Sequence, residues 1–187
     1  STLTEGLICY LLATGKRHYP LLVSSTDDQA LKHQKSVKAM LESPRLRADY
    51  PHLTPKIQSE RKALQSWSSE RLVCESGQTI EVASILGRIR GFKNELNQRP
   101  DLMVPDDIDN SSESVELTRK KLDILRVDFL PALARHGSVL FAQNLIHRHS
   151  ICKRILDGSA DMLSDRQFIG PNPLMKRGYD AERYSLS

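Results

Sequence analysis

Three short apolar runs, separated by stretches with helical spacing, constrain the fold of this chain more than any other feature of its sequence. The runs are residues 19–25 (YPLLVSS), 101–104 (DLMV) and 138–143 (SVLFAQ). A compact apolar run bounded by turn residues is typical of a strand that is buried on both faces of a sheet. Strands of this kind that alternate with amphipathic helices predict an α/β fold with a largely parallel sheet.

The segments between these runs carry helix signals of their own. Residues 25–43 (STDDQALKHQKSVKAMLES) begin with side chains that can cap a helix and end just before Pro44. Residues 111–130 have the clearest helical pattern, and Ser111 or Ser112 is the expected cap. A first helix is predicted from apolar side chains at helical spacing followed by a glycine stop: Leu3, Leu7, Tyr10, Leu11 and Gly15.

Two shorter elements complete the predicted secondary structure. Residues 71–84 (RLVCESGQTIEVAS) contain two alternating runs on either side of Ser76-Gly77, a pattern that predicts a β-hairpin. Residues 150–156 predict a last helix that stops at Gly158.

Composition indicates a globular protein with one domain. The chain has 187 residues, of which 39% are hydrophobic and 27% charged, a balance that allows a substantial core. Its net charge of +4 is compatible with a polyanionic partner. We find no apolar stretch of about 18 residues that would suit a membrane helix and no signal-peptide pattern. The three cysteines, Cys9, Cys74 and Cys152, are few and widely spaced, which favours a reduced, intracellular setting.

Polar clusters follow each of the three predicted strands. They are residues 24–26 (SST), residues 106–107 (DD) and residues 143–144 (QN). In open α/β sheets, ligands bind beyond the carboxyl ends of the strands. We therefore expect these three clusters to lie together and to form the functional site.

The aspartate pair is the cluster with the clearest chemistry. Adjacent carboxylates repel each other and resist desolvation unless a cation lies beside them. Asp106 and Asp107 are therefore either part of a solvated loop that leads into the next helix, or ligands and neighbours of a metal ion. A strand followed by two acids has the form of a Walker B motif, in which Mg²⁺ on the nucleotide phosphates compensates one acid and the other acts as a base. An EF-hand is excluded because the required Gly and the closing Glu are missing.

A Walker B motif requires a Walker A motif, the GxxxxGK[ST] loop that wraps the phosphates and opens a helix. The full loop is not found in these residues. Residues 1–4 (STLT), however, stand at the head of a predicted helix, as the residues after the Gly-Lys of such a loop do. Ser1 would then be the hydroxyl that reaches Mg²⁺.

Taken together, five segments in order resemble the ATPase domain of the bacteriophage terminase large subunit, the DNA-packaging motor. They are STLTEG, LLVSSTDDQA, IRGFK, RPDLMVPDDIDN and IHRHS. The resemblance implies a P-loop NTPase-like, mostly parallel sheet flanked by helices. It also implies that residues 1–157 are a partial ATPase domain that begins inside the Walker A motif and lacks its first strand. Residues 158–187 would be an irregular extension toward an absent nuclease domain.

The resemblance assigns roles to individual residues. Asp106 and Ser1 would bind Mg²⁺, Ser1 and Thr2 would bind ATP, and Asp107 would be the catalytic base. Arg90 would be an arginine finger, although a solvated loop or a DNA backbone contact also accounts for it.

Asn144 would sense the γ-phosphate from the position of the coupling motif. The chain departs from the family pattern at three positions. It has Asp107 where many relatives have Glu, Gln143-Asn144 where Gly-Thr is usual, and Pro105, which fits only where a strand is leaving the sheet.

The function implied by this resemblance is hydrolysis of Mg-ATP that drives DNA translocation into the prohead. The implied partners are double-stranded DNA, a small terminase subunit, a portal protein and further copies in a homo-oligomeric ring, without a membrane, in the host cytoplasm. We expect this chain alone neither to hydrolyse ATP appreciably, because the phosphate loop would lie upstream of Ser1, nor to cleave DNA. Two alternatives are a helicase-like or recombination P-loop ATPase, and a non-enzymatic α/β binding module.

Two other patterns favour ordinary structural roles. His147, His149 and Cys152 have no fourth ligand nearby and make a poor zinc site. The basic run Arg119-Lys120-Lys121 is interpreted as a solvated helix face rather than a DNA contact.

Overall fold

The computed structural model describes residues 2–54, 70–87, 91–156 and 160. Its centre is a sheet in the order β2-β3-β1-β4-β5. The strands are β1 (Pro20–Ser24), β2 (Arg71–Val73), β3 (Thr79–Ser84), β4 (Leu102–Pro105) and β5 (Ser138–Val139). Strand β1 is parallel to β3 and β4, β4 is parallel to β5, and only β2 is antiparallel to its neighbour. The predicted α/β class with a largely parallel sheet is confirmed.

Helices cover both faces of this sheet. They are α1 (Thr2–Ala13), α2 (Asp27–Leu41), α3 (Pro44–Asp49), α4 (Val115–Ile124), α5 (Leu130–Ala132) and α6 (Ile151–Leu156). A π-helical turn, Leu125–Phe129, joins α4 to α5, and a 3₁₀ turn, Pro51–Leu53, follows α3. None of the helices in the described part of the chain combines the length and apolar character needed to cross a bilayer.

Strand β1 shows why polar and apolar residues do not alternate in the apolar runs. Leu22 packs into one core with the helices α1 and α2, whereas Leu21 and Val23 pack into a second core on the opposite face. Phe129 belongs to this second core, where its ring stacks on that of Phe92 at 5.8 Å between centroids. Both faces of the central strands are therefore buried, as their composition predicted.

Helix α1 presents a different face to the core from the one its leucine spacing indicates. Leu3 is 86% exposed and Tyr10 is 52% exposed. The helix instead buries a neighbouring stripe with Thr4, Glu5 and Ile8 on it. In this orientation its first turn makes polar contacts with α2, from Glu5 to His33 and to Ser36.

The helix α4 corrects two sequence-based predictions. Its cap is Ser114, which accepts a hydrogen bond from the Leu117 amide at 3.2 Å, rather than Ser111 or Ser112. Lys121 is buried, not solvated: its Nζ donates to the Ile108 carbonyl at 2.6 Å and pairs with the Glu113 carboxylate. Since a buried ammonium is costly without partners, these two acceptors explain why it can lie there.

The β2–β3 hairpin is confirmed, with Leu72 opposite Ile80 and Gly77 in the left-handed region at φ +83°. A left-handed residue in a tight turn favours glycine, because glycine has no Cβ to clash. Within residues 158–187 only Ala160 is described, so the division of the chain at residue 157 stays a prediction.

Candidate functional site

The three polar clusters that follow the strands lie along one edge of the sheet. Strand register places Val23 opposite Pro105, so that Ser24 neighbours Asp106, and the Asp106 amide donates to the Val23 carbonyl at 2.8 Å. On the other side, Asp106 forms an isolated bridge with Ala142. The expected convergence of the strand ends is confirmed, while the chemical roles of the individual residues stay predictions.

Pro105 occupies the end of its strand without breaking the sheet. It is the last residue of β4, and its carbonyl accepts a hydrogen bond from the Ala142 amide at 2.8 Å. The amide of the next residue, Asp106, donates the hydrogen bond to β1. The missing N–H of the proline therefore leaves the strand pairing intact.

Asp106 is a buried carboxyl group at the centre of this edge. It is 2% exposed, and the Thr4 hydroxyl, from the first turn of α1, lies near enough to lower its pKa. The Nε2 atom of His33, on α2, lies 3.7 Å from its Oδ2. Burial raises the pKa of Asp106 above its ordinary value and outweighs His33 and Thr4, which lower it. A cation bound beside this carboxylate would offset the cost of burying its charge.

Asp107 differs from Asp106 in its exposure and in its backbone conformation. It is exposed, and its backbone is in the left-handed region at φ +48°. Its amide donates to the Ala142 carbonyl at 3.1 Å, which holds the turn against the segment that follows β5. Aspartate tolerates this conformation better than most residues, and such backbones are common at functional sites.

Sequence reasoning missed two residues that lie behind Asp106. Glu5 on α1 accepts a hydrogen bond from Ser36 Oγ at 2.5 Å and contacts His33 Nδ1 at 2.7 Å. Glu5 and His33 are polar residues that lie beside apolar residues at helical spacing, Ile8 on α1 and Val37 on α2. That interruption of an apolar stripe is the signal by which the sequence could have identified them.

The second cluster that sequence reasoning singled out, Gln143-Asn144, has one structural and one exposed member. The Gln143 side-chain oxygen accepts from the Asp109 amide at 3.0 Å, which ties the two loops together. Asn144 is exposed. Asp109 itself is buried and accepts from the Ile151 and Cys152 amides at 3.1 and 3.2 Å, so it caps α6.

Ser24 adds a second buried polar group to this edge. It is fully buried, and its hydroxyl has no hydrogen-bond partner among the described residues. Alternation along the strands puts Ser24 and Asp106 on the same face, below Leu22 and Val104. A buried hydroxyl without a partner is unfavourable unless a water or a ligand satisfies it.

The structure gives little information on the remaining predicted site residues. Ser1 and Arg90 lie outside the described residues. Thr2 begins α1 and is exposed. In the described part of the chain no three His, Cys, Asp or Glu side chains converge on one metal position, which also leaves His147, His149 and Cys152 without a zinc site there.

The donor set around Asp106 nevertheless fits one kind of metal binding. Mg²⁺ is usually held by one or two carboxylates, with substrate phosphates and waters as its other ligands. A single buried carboxylate next to hydroxyl groups matches that pattern, whereas it does not match a site built from protein ligands alone. Comparison with known proteins adds no identification: no protein-family model matches the chain, and no curated protein matches it significantly.

Proposed function

We propose that this chain is part of the motor domain of a P-loop ATPase of the terminase large-subunit type, in which hydrolysis of Mg-ATP drives translocation of double-stranded DNA into a prohead. The observation that carries the proposal is the contact between the start of α1 and the end of β4. Glu5, in the first turn of α1, contacts His33 Nδ1 at 2.7 Å, and His33 Nε2 lies 3.7 Å from Asp106 Oδ2. Walker A and Walker B chemistry requires the head of this helix and the acid at this strand end to meet around one phosphate-bound cation.

The order of the strands also supports the proposal. Strand β4, which leads to the acid pair, lies between β1 and β5. Beyond β5 the described residues contain no further strand. The resemblance implies a central strand in front of the phosphate loop, and the outer edge of β5 offers the ladder positions with which such a strand would pair.

The proposal gives each residue at this edge of the sheet a separate chemical role. Asp106 would hold Mg²⁺, which, when bound, supplies neutralisation of charge on the nucleotide phosphates. Asp107 is exposed beside it and would accept a proton from the attacking water as general base. Asn144, two residues beyond the Ala142 bridge, would contact the γ-phosphate, and Arg90 would supply a trans-acting cation.

The partners of this function follow from the resemblance. Double-stranded DNA would be the translocated substrate, and the small terminase subunit and the portal protein would be the assembly partners. Copies of the full-length protein would form a ring, so that Arg90 of one copy could reach the nucleotide of the next.

The test begins with the codons upstream of Ser1. The proposal expects a glycine-rich loop that ends in Gly-Lys, and a chain extended through that loop should bind ATP in a Mg²⁺-dependent manner. Asp106→Ala should weaken Mg-ATP binding by about tenfold or more, because it removes the protein's carboxylate ligand. Asp128→Ala, at an exposed position on the π-helical turn, is the control and should leave binding unchanged.

An upstream sequence without the loop, or equal Mg-ATP binding by the Asp106→Ala variant, would contradict the proposal. The second result would favour the non-enzymatic binding module. A helicase-like ATPase would pass both tests, and the domain that follows in the full-length gene distinguishes it: a nuclease domain indicates a terminase, and helicase motifs indicate the alternative.

A further inference from the structure

The contacts behind Asp106 form a continuous series that ends on its carboxylate. Ser36 Oγ donates to Glu5 Oε2 at 2.5 Å, Glu5 Oε1 lies 2.7 Å from His33 Nδ1, and His33 Nε2 lies 3.7 Å from Asp106 Oδ2. Glu5 comes from α1, Ser36 and His33 come from α2, and Asp106 follows β4. The series therefore connects three separate elements at the head of the candidate site.

Glu5 fixes the orientation of the imidazole ring. Its carboxylate is 6% exposed and has the Ser36 hydroxyl as a second partner, so its own rotamer is restrained. An ionised carboxylate only accepts hydrogen bonds, so the Nδ1 atom of His33 donates in this contact. The opposite ring atom, Nε2, is then held toward Asp106.

We propose that His33 is a positioning residue for Asp106, in which the Nε2 edge of its ring holds the carboxylate in the orientation that receives a divalent cation. The inference rests on the proposed function, which assigns Mg²⁺ to Asp106. Metal-binding carboxylates are generally oriented by such outer partners, and loss of one typically weakens metal binding by about tenfold to a hundredfold. The 3.7 Å separation is longer than a hydrogen bond, so the ring restrains the carboxylate by packing.

Two substitutions of His33 separate this role from simple anchoring of the helices. The amide group of asparagine falls near the Nδ1 position, so His33→Asn keeps the contact with Glu5 and loses the one with Asp106. The amide group of glutamine falls near the Nε2 position, so His33→Gln does the reverse. If His33 acts on Asp106, the glutamine variant should keep metal binding. If His33 only joins α1 to α2, the asparagine variant should keep it instead.

The experiment uses the 187-residue chain and Mn²⁺ as the probe. Paramagnetic broadening of the backbone amide signals of Asp106 and Asp107 in ¹⁵N-¹H spectra, followed over a Mn²⁺ titration, gives an apparent Kd. The same spectra show that each variant is folded. We expect His33→Gln to stay within about threefold of the wild type and His33→Asn to raise the Kd by about tenfold. Asp106→Asn is the control that abolishes the local broadening.

Each outcome of this titration is decisive. Equal Kd values for all His33 variants, tighter Mn²⁺ binding by the asparagine variant, or a loss in the glutamine variant alone would overturn the positioning role. A wild-type chain whose Asp106 and Asp107 signals are not broadened would overturn the metal role of Asp106 in the proposed function, and the positioning role with it. Local broadening in the wild type with no effect of His33 would refute only the further inference.

Discussion

Two buried aspartates stand at opposite ends of the same strand, and their surroundings differ in kind. Asp101, just before β4, accepts hydrogen bonds from the His18 and Tyr19 amides at 2.7 and 2.9 Å. Asp106, just after β4, meets the side chains of Thr4 and His33 instead. Backbone donors are fixed by the fold and satisfy a carboxylate permanently, whereas side-chain neighbours can move aside for a ligand. The comparison separates a structural acid from a candidate functional one.

The largest expected effect concerns Lys121, a buried charge near Asp106, and tests whether its ion pair stabilises the fold. Lys121→Ala should lower the free energy of unfolding by about 3–5 kcal/mol, because it leaves the buried Glu113 carboxylate without its cation. Urea denaturation measures the effect. The double variant with Glu113→Gln should recover part of this loss, since no buried charge then lacks a partner; a strictly additive loss would contradict the pairing.

The next effect compares the two aspartates themselves. Asp101→Ala should lower the free energy of unfolding by about 3 kcal/mol, because two charge-assisted hydrogen bonds are lost. Asp106→Asn should change it by less than about 1 kcal/mol or increase it, because burial opposes the charged form of this group and the amide carries no charge. Urea denaturation of both variants under one condition gives the comparison.

Equal destabilisation by Asp101→Ala and Asp106→Asn would show that both acids are structural. This result would remove the main physical reason for expecting a ligand beside Asp106, at the carboxyl ends of the strands.

The smallest effect concerns two fully buried serines, Ser24 and Ser150. Ser150→Ala should cost about 1 kcal/mol, because its hydroxyl caps α6 by accepting from the Lys153 amide at 3.2 Å. Ser24→Ala should stay within about 0.5 kcal/mol of the wild type, because its hydroxyl has no partner among the described residues. Thermal unfolding measures both. A loss at Ser24 that matches the one at Ser150 would indicate a structural hydrogen bond at the candidate site.

Much of the fold follows from local sequence signals. The strands β1 and β4 could be predicted because both faces of each are buried, so that their residues form uninterrupted apolar runs. The convergence of the strand ends then follows from parallel pairing, which brings Ser24, Asp106 and Gln143 to one edge. Thr26 caps α2 as the segment predicted, by accepting from the Gln29 amide at 3.3 Å.

The parts that sequence reasoning missed depend on tertiary contacts. Glu5 contacts two side chains of α2 that are 28 and 31 positions away in sequence, and the leucine spacing could not indicate that Leu3 and Tyr10 would be exposed. Lys121 is buried because the loop after β4 brings the Ile108 carbonyl to it. The role of His33 depends on both effects, since it becomes visible only when α1, α2 and the end of β4 are brought together.

The central claim is that Asp106 binds a ligand, whereas Asp101 stabilises the fold. ATP turnover tests this claim most directly. The measurement is steady-state Mg²⁺-dependent hydrolysis by the chain extended upstream through the phosphate loop that the proposed function expects, with the 187-residue chain as a reference that we expect to be inactive. We predict that Asp106→Asn lowers turnover by about a hundredfold or more, because a bound metal contributes several kcal/mol to transition-state stabilisation, while stability is kept. Undiminished turnover in a folded Asp106→Asn variant, or comparable turnover by the 187-residue chain, would contradict the account.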